Sequence, residues 1–191
     1  MSKAVLLSVR PKHCHHITIK DKKIEIRKRI PVELKTPFKV YLYCTKGSKH
    51  EAFTVDKYGN SSLFHCCDYN TAIPVGCEIA NGKVFGEFTC KRIYEYKHEY
   101  ATGGGYISAT EEDTLHLLKW ARLSPQELRA YLGKHNGIFY AMHIAKLVIY
   151  DKPKELREFE GLRQTKFGYE PIKLTRPPQS WCYVEEITND C

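Results

Sequence analysis

The sequence predicts an α+β protein, a closed or partly closed mixed β-barrel with helices around it, on three observations. Short apolar or alternating segments recur along the 191 residues, several joined by hairpin-length turns. Helical segments fall among them without the regular strand–helix alternation of a parallel sheet. No repeat, low-complexity tract or linker divides the chain, so a single domain over 1–191 is expected, with an irregular insertion at 48–75 and a helical one at 110–133. A barrel buries so many strands without leaving their edges open.

"KAVLLSV" (3–9) is short and apolar and is stopped by Arg10-Pro11, which makes it a buried strand. Pro11 suits the first turn of a helix over about 11–19, with Cys14 and Ile17 three apart on one face. "KKIEIRKR" alternates, Ile24 and Ile26 facing one way and Lys23, Glu25, Arg27 and Arg29 the other. "FKVYLYC" (38–44) is a third strand between Pro37 and Gly47. Within 48–75, Gly59-Asn60-Ser61-Ser62 mark a turn and "LFHCCDY" reads as a short strand. In "EIANGKVFGEFTCKRIYEY", Asn81-Gly82 is the pair a type I′ hairpin turn prefers, and a long strand follows, bulged at Gly86. "ATGGGYIS" reads as a flexible loop with no strand after it, which gives its glycines little of a phosphate-binding context. Thr110 caps a helix over "EEDTLHLLKWA". In "SPQELRAYLG", Ser124 caps, Pro125 starts, Glu127 completes a capping box and Gly133 ends the strongest helix of the chain. "AMHIAKLVIY" (141–150) is a strand, "KPKELREF" a short helix begun at Pro153, and 160–172 a polar stretch. "LTRPPQSWCYVEEI" closes the chain with a strand.

A hydrophobic fraction of 42% and an aromatic fraction of 12% exclude a disordered chain. The net charge of +8 favours anionic partners such as nucleic acid or acidic lipid. The apolar run before Arg10 is too short for a signal peptide and no segment has the length of a membrane span, so a cytoplasmic, membrane-free protein is expected. In that compartment the eight cysteines (14, 44, 66, 67, 77, 90, 182 and 191) are expected as reduced thiols without disulfides.

"HCHH" (13–16) invites a metal reading, with His13 and His16 three apart and His65 and Cys67 as further ligands. Structural zinc sites supply two close pairs of ligands, and no two cysteines here stand two to four apart. Surface histidines, buried thiols, no metal and no cofactor are the expectation. Six of the ten residues from Lys20 to Arg29 are cationic, a pattern that also protects a strand edge. Glu25 and Arg27 share a face, where carboxylate and guanidinium can fix each other's geometry. Arg10, Arg92, Arg176 and thirteen tyrosines add the cation–aromatic mixture that holds phosphates and stacks on unpaired bases.

Seven segments together resemble the ASCH domain proteins of the PUA-like superfamily, most closely a branch found in bacteria and their phages. They are "LLSVRPKHCHHI", "KDKKIEIRKR", "FKVYLYCTKG", "NGKVFGEFTCKRI", "YLGK", "IYDKPKEL" and "LTRPPQSWCYVEE". Of the signature Gly-x-Lys-x-x-Glu-x-Arg, Lys22, Glu25 and Arg27 are present, while Lys20 stands in the glycine's place. Lacking glycine's freedom, Lys20 is not expected to take a positive φ, and the turn there should differ. The resemblance implies a PUA-like mixed β-barrel with surrounding helices and a cleft at one end for the signature residues. It also implies RNA or nucleotide-like ligands, while some ASCH proteins are enzymes: amidohydrolases on acetylated cytidine, or a ribonuclease. Against the amidohydrolase pattern Lys22 matches the lysine and Glu87 the second-strand glutamate, but Glu25 occupies the nucleophile position. A carboxylate there could act only as a general base toward water.

The expected function is therefore a cytoplasmic RNA- or nucleotide-binding module, with a hydrolase using Lys22, Glu25 and Glu87 as the alternative. The ligand-binding set comprises Ser8, Arg10, Lys22, Glu25, Arg27, Glu87, His143, Gln179, Ser180 and Trp181. Ser8 and Arg10 end the first strand. His143 stands where related sequences carry histidine, and Gln179, Ser180 and Trp181 follow the stiff Pro177-Pro178 pair. Core packing is the competing role for Trp181.

Overall fold

The computed structural model describes residues 2–47, 51–65, 73–101 and 104–187. β1 (Lys3–Val9) runs parallel to β3 (Phe38–Cys44), between them come α1 (Pro11–Thr18) and β2 (Ile24–Arg27), and β12 (Trp181–Glu185) pairs antiparallel on the other side of β1. β7 (Val84–Ala101) and β9 (Gly137–Lys154), 18 residues each, are the long antiparallel pair that carries the sheet from β3 to β2. β10 (Glu160–Thr165) and β11 (Gly168–Lys173) form the opposite end, and β8 (Gly104–Ser108) pairs with the far half of β7. A second sheet holds β4 (Glu51–Asp56), flanked by β5 (Ser61–His65) and β6 (Cys77–Ile79). With α2 (Glu111–Ala121) and α3 (Pro125–Leu132) the architecture is α+β, mostly sheet.

The sheet does not close into a barrel: β11 and β2 end the ladder and do not pair with each other. Side chains tether the β2 end instead, the Arg27 guanidinium donating to the Ser8 carbonyl at 2.6 Å and the Trp181 indole to the Arg29 carbonyl at 2.9 Å. Polar groups bridge where the barrel would have used another strand ladder.

Caps form where the sequence places them. Thr110 accepts from the Asp113 amide, and Ser124 and Glu127 complete their reciprocal box at 3.1 and 2.8 Å. The Asn81-Gly82 hairpin does not form. Gly82 alone has a positive φ, +79°, and Lys83 donates to Ala80, which is the type II pattern rather than I′. The Asn81 side chain accepts from the Phe53 amide and donates to the carbonyls of Lys46 and Glu51, so the turn joins two sheets. Residues expected as an irregular insertion form β4 and β5, and Phe53 packs edge-on against Phe85 at 5.0 Å. Cys66 and Cys67, within "LFHCCDY", lie outside the described residues. The glycine-rich segment is β8 rather than a loop, held by cross-strand pairing from Lys97–Ser108 to Ala101–Gly104. The helix expected from Pro153 is a 3₁₀ turn over Leu156–Glu158, since β9 continues to Lys154, and the polar stretch 160–172 is the β10–β11 hairpin. Lys20 takes φ +60° despite its side chain, because the amides of Lys20, Asp21 and Lys22 all donate hydrogen bonds to the His16 and Ile17 carbonyls in the last turn of α1.

The bulge at Gly86 is present: Leu42 faces Gly86 and Tyr43 faces Val84, leaving Phe85 as the extra residue on β7. A Cβ on Gly86 would stand 2.5 Å from the Val148 carbonyl oxygen, a backbone atom that cannot rotate away. Gly86→Ala is therefore expected to destabilise by about 1–3 kcal/mol, read as a lower midpoint in urea; an unchanged midpoint would mean β9 yields there.

Three apolar clusters form among the described residues. The main one joins β1, α1, β3, β4 and the first half of β7 through Leu7, Ile17, Leu42, Phe53 and Phe88. A second packs α2 and α3 onto β2 and β9. The third lies on the opposite sheet face around Tyr41, Val84 and Phe159. Among the described residues Cys14, Cys44, Cys77, Cys90 and Cys182 are free thiols, and no helix is long and apolar enough to cross a membrane.

Candidate functional site

Four residues in β2 bury their side chains from both faces, because the main core lies on one side and α2 covers the other. Alternation then sends Glu25 and Arg27 together into the space between β2 and β1. Lys22, just before the strand, joins them. Arg27 Nη1 lies 2.8 Å from Glu25 Oε1, and Lys22 Nζ lies 3.3 Å from Glu25 Oε2. Lys22 also donates to the Ala121 carbonyl at the end of α2, at 2.5 Å. Exposure is only 3% for Lys22, 4% for Glu25 and 8% for Arg27, so the three charges are effectively out of water.

Burial acts to raise the Glu25 carboxyl, but Lys22, Arg27 and His13 outweigh it and hold it below the ordinary carboxylate range. Burial lowers Lys22, and the contact with Glu25 opposes that. His13 is pushed down to about 4, chiefly by burial, with Lys22 reinforcing and Glu25 opposing. At neutral pH the cluster therefore sets two cations against one carboxylate, beside an uncharged imidazole. Two of its buried atoms, Arg27 Nε and His13 Nδ1, have no hydrogen-bond partner among the described residues, while Glu25 Oε2 meets the Lys22 ammonium. Buried polar atoms are nearly always paired, which sets these two apart from the rest of the core.

Ser8 belongs to the same place. Its carbonyl accepts from Arg27, its hydroxyl donates to the Pro178 carbonyl at 2.7 Å, and its amide donates to the Ser180 carbonyl at 2.9 Å. Those bonds draw the exposed Gln179 and Ser180 to the end of β1, next to the exposed Arg10 that precedes α1. Trp181 is half-buried against the main core, paired with Leu7 and edge-on to Tyr183 at 5.3 Å, so packing and its bond to Arg29 occupy it.

Two residues of the expected set lie elsewhere. Glu87 stands opposite Tyr41 on the other sheet face, where it accepts from the Tyr150 hydroxyl at 2.6 Å and meets Lys39 at 3.4 Å. His143 sits opposite Ile24, with Nδ1 buried and without a hydrogen-bond partner among the described residues; burial, then Lys91 and Arg92, hold it below its ordinary value. Sequence reasoning missed His13, assigned to the surface with its neighbours. The signal was its spacing: His13 and Ile17 are four apart, on the face α1 turns inward.

The other histidines of "HCHH" do not converge. His15 contacts the Ser61 hydroxyl at 3.0 Å and His16 lies 3.8 Å from Asp21. Among the described residues no three potential ligands form a metal cluster.

Fold and site together define a sheet-rich α+β protein with a buried cation–carboxylate–cation cluster at the open seam of its sheet. No protein-family model matches the chain, and no curated protein does. Among solved structures it is similar to an ASCH protein from Zymomonas mobilis, at 17% identity and TM-score 0.49, over 96% of this chain and 88% of that one. A single-substitution variant of that protein gives 17% identity and TM-score 0.48, over 97% and 92%. ASCH is also the family whose motifs this sequence resembles.

Proposed function

We propose that the protein is an ASCH-type, PUA-like module that binds RNA or a nucleotide-like ligand, with the base held at the Lys22–Glu25–Arg27 cluster. The supporting observation is the buried Lys22–Glu25–Arg27 cluster, with unpaired atoms on Arg27 and His13, beside the exposed Arg10, Gln179 and Ser180. A nucleobase edge carries both N–H donors and carbonyl acceptors. Glu25 Oε2, met on one side by Lys22, keeps a second lone pair to accept with, and Arg27 Nε offers a donor, in a dry setting where such bonds discriminate best. The surplus positive charge suits a ligand whose attached phosphate lies at the rim. A binding role is favoured over hydrolysis because Glu87, the second carboxylate a hydrolase would need, is engaged with Tyr150 and Lys39.

Calorimetric titration with cytidine and uridine, and with single-stranded RNA at low salt, tests the reading. Arg27→Ala is expected to weaken nucleoside binding by roughly 10- to 100-fold, the worth of a hydrogen bond to a charged group. Arg27→Lys should fail to restore it, because the free Nε is lost. Absence of binding to nucleosides and RNA alike at low salt would refute the proposal, since electrostatic attraction is then strongest.

A further inference from the structure

Beside the buried cluster runs a groove of 330 Å³ lined by Ile17, Lys20, Lys22, Lys23, Ile144, Lys146 and Leu147. Its size is that of a ligand cleft. Four of the seven lining residues are lysines, none is acidic, and the remainder is an apolar floor. Lys22 links the two sites, its ammonium turned to Glu25 and its residue forming a wall of the groove.

Backbone geometry makes the arrangement more pointed. Among the described residues three non-glycines have φ in the left-handed region: Lys20 at +60°, Arg122 at +52° and Lys146 at +48°. Lys20 follows α1, and Arg122 caps the C-terminus of α2. Lys146 occupies a bulge of β9, where Ala145 faces Thr89 and Val148 faces Glu87. Glycine would take each conformation at lower cost. Each position carries a cation instead, and all three lie about one place. Lys20 and Lys146 line the groove, while Arg122 contacts Asp21 at 2.9 Å next to Lys20. Two of them are helix ends where a cation also meets the helix dipole favourably; the bulge offers Lys146 no such reason. Lys91 and Arg92 of β7, which depress His143 beside Ile144, add further positive charge alongside the same stretch of β9.

We infer that this groove is the track for the phosphate backbone of single-stranded RNA whose base enters the Lys22–Glu25–Arg27 cluster. This rests on the reading proposed above and extends it to residues outside the expected set: Lys20, Lys23 and Lys146. The lysines supply charge without base discrimination, and the apolar floor accommodates sugar. Trp120 stands at the edge of the groove, its carbonyl accepting from the Lys23 amide at 2.8 Å. Its indole is part-exposed, stacked with His116 at 6.1 Å and edge-on to Tyr94 at 6.5 Å, an aromatic cluster that a neighbouring base can extend.

The double variant Lys20→Gly, Lys146→Gly removes two charges while giving the backbone the residue it prefers at both places, so it should unfold no earlier than the wild type. The control is Lys166→Gln, Lys173→Gln, which removes the same net charge from the exposed β10–β11 hairpin. Affinity for a dodecamer of uridylate is measured by fluorescence anisotropy from 50 to 200 mM salt, and cytidine binding by calorimetry. The groove variant is expected to make the slope of log K against log salt shallower by about 1.4, from about 0.7 per phosphate contact on a single strand. The control should leave the slope unchanged, and cytidine binding should be equal in all three proteins. Equal slopes in groove variant and wild type, or an equal decrease in the control, would overturn the groove assignment while leaving the base site standing. Loss of the slope in the groove variant with no cytidine binding by any protein would instead remove the base site and keep the groove.

Discussion

Glu25→Gln is expected to lower the free energy of unfolding at pH 7 by about 3–5 kcal/mol, the usual cost of removing one partner from a buried ion pair. Glutamine keeps the shape and loses the charge. Lys22 and Arg27 are then left as two buried cations, at 3% and 8% exposure, with no counter-ion between them. Arginine cannot lose its proton in a protein, so Lys22 is the group that yields. Burial already lowers it, and loss of Glu25 removes the contact that opposed this. A lysine depressed in the folded state binds fewer protons than in the unfolded one, so the variant should recover stability as pH rises from 7 to 9. Urea unfolding at the two pH values measures both effects. A deficit below about 1 kcal/mol at pH 7 would mean water reaches the cluster and screens it.

Acid should destabilise the wild-type protein well before ordinary carboxylates titrate. His13 has a folded pKa of about 4 against 6.5 when unfolded. Between those values the unfolded chain binds the extra proton, so stability is full above about pH 6.5 and falls as pH drops toward 4. The shift corresponds to about 3 kcal/mol. Glu25, held below the ordinary carboxylate value of 4.5, adds a further loss below that pH. His16 and His143, also lowered, contribute in the same direction as His13. His13→Asn should flatten most of the slope between pH 6.5 and 4 in a series of urea midpoints. A slope unchanged by that substitution would place the acid sensitivity elsewhere and return His13 to the surface.

Local elements were legible wherever a short-range rule acts alone. β1 and β3 were bounded by their flanking Pro and Gly, and both capped helices start at the residues that cap them. The Gly86 bulge was legible because only glycine permits that approach. The errors fall where a distant segment outbids a local preference. Asn81 gave its side chain to backbone groups of residues 46, 51 and 53, which no turn statistic contains. The glycines of 104–108 became a strand because β7 was long enough to pair with them. Lys20 took a glycine's conformation because carbonyls at the end of α1 accept three backbone hydrogen bonds in return.

The site divides in the same way. Residue spacing alone put Glu25 and Arg27 on one face with Lys22 close before them, because alternation along a strand is a property of the backbone. Whether Glu87 faced them was not a matter of spacing: it depended on which face of β7 the bulge turned inward, and the sheet set it against Tyr41 and Tyr150. His13 entered the cluster only through the docking of α1. The convergence of Lys20, Arg122 and Lys146, 126 positions apart at the extremes, likewise needed the sheet to be folded. The sequence determined the residue types and their local faces; burial, which turns those residues into a charged pocket, is a property of the assembled layers.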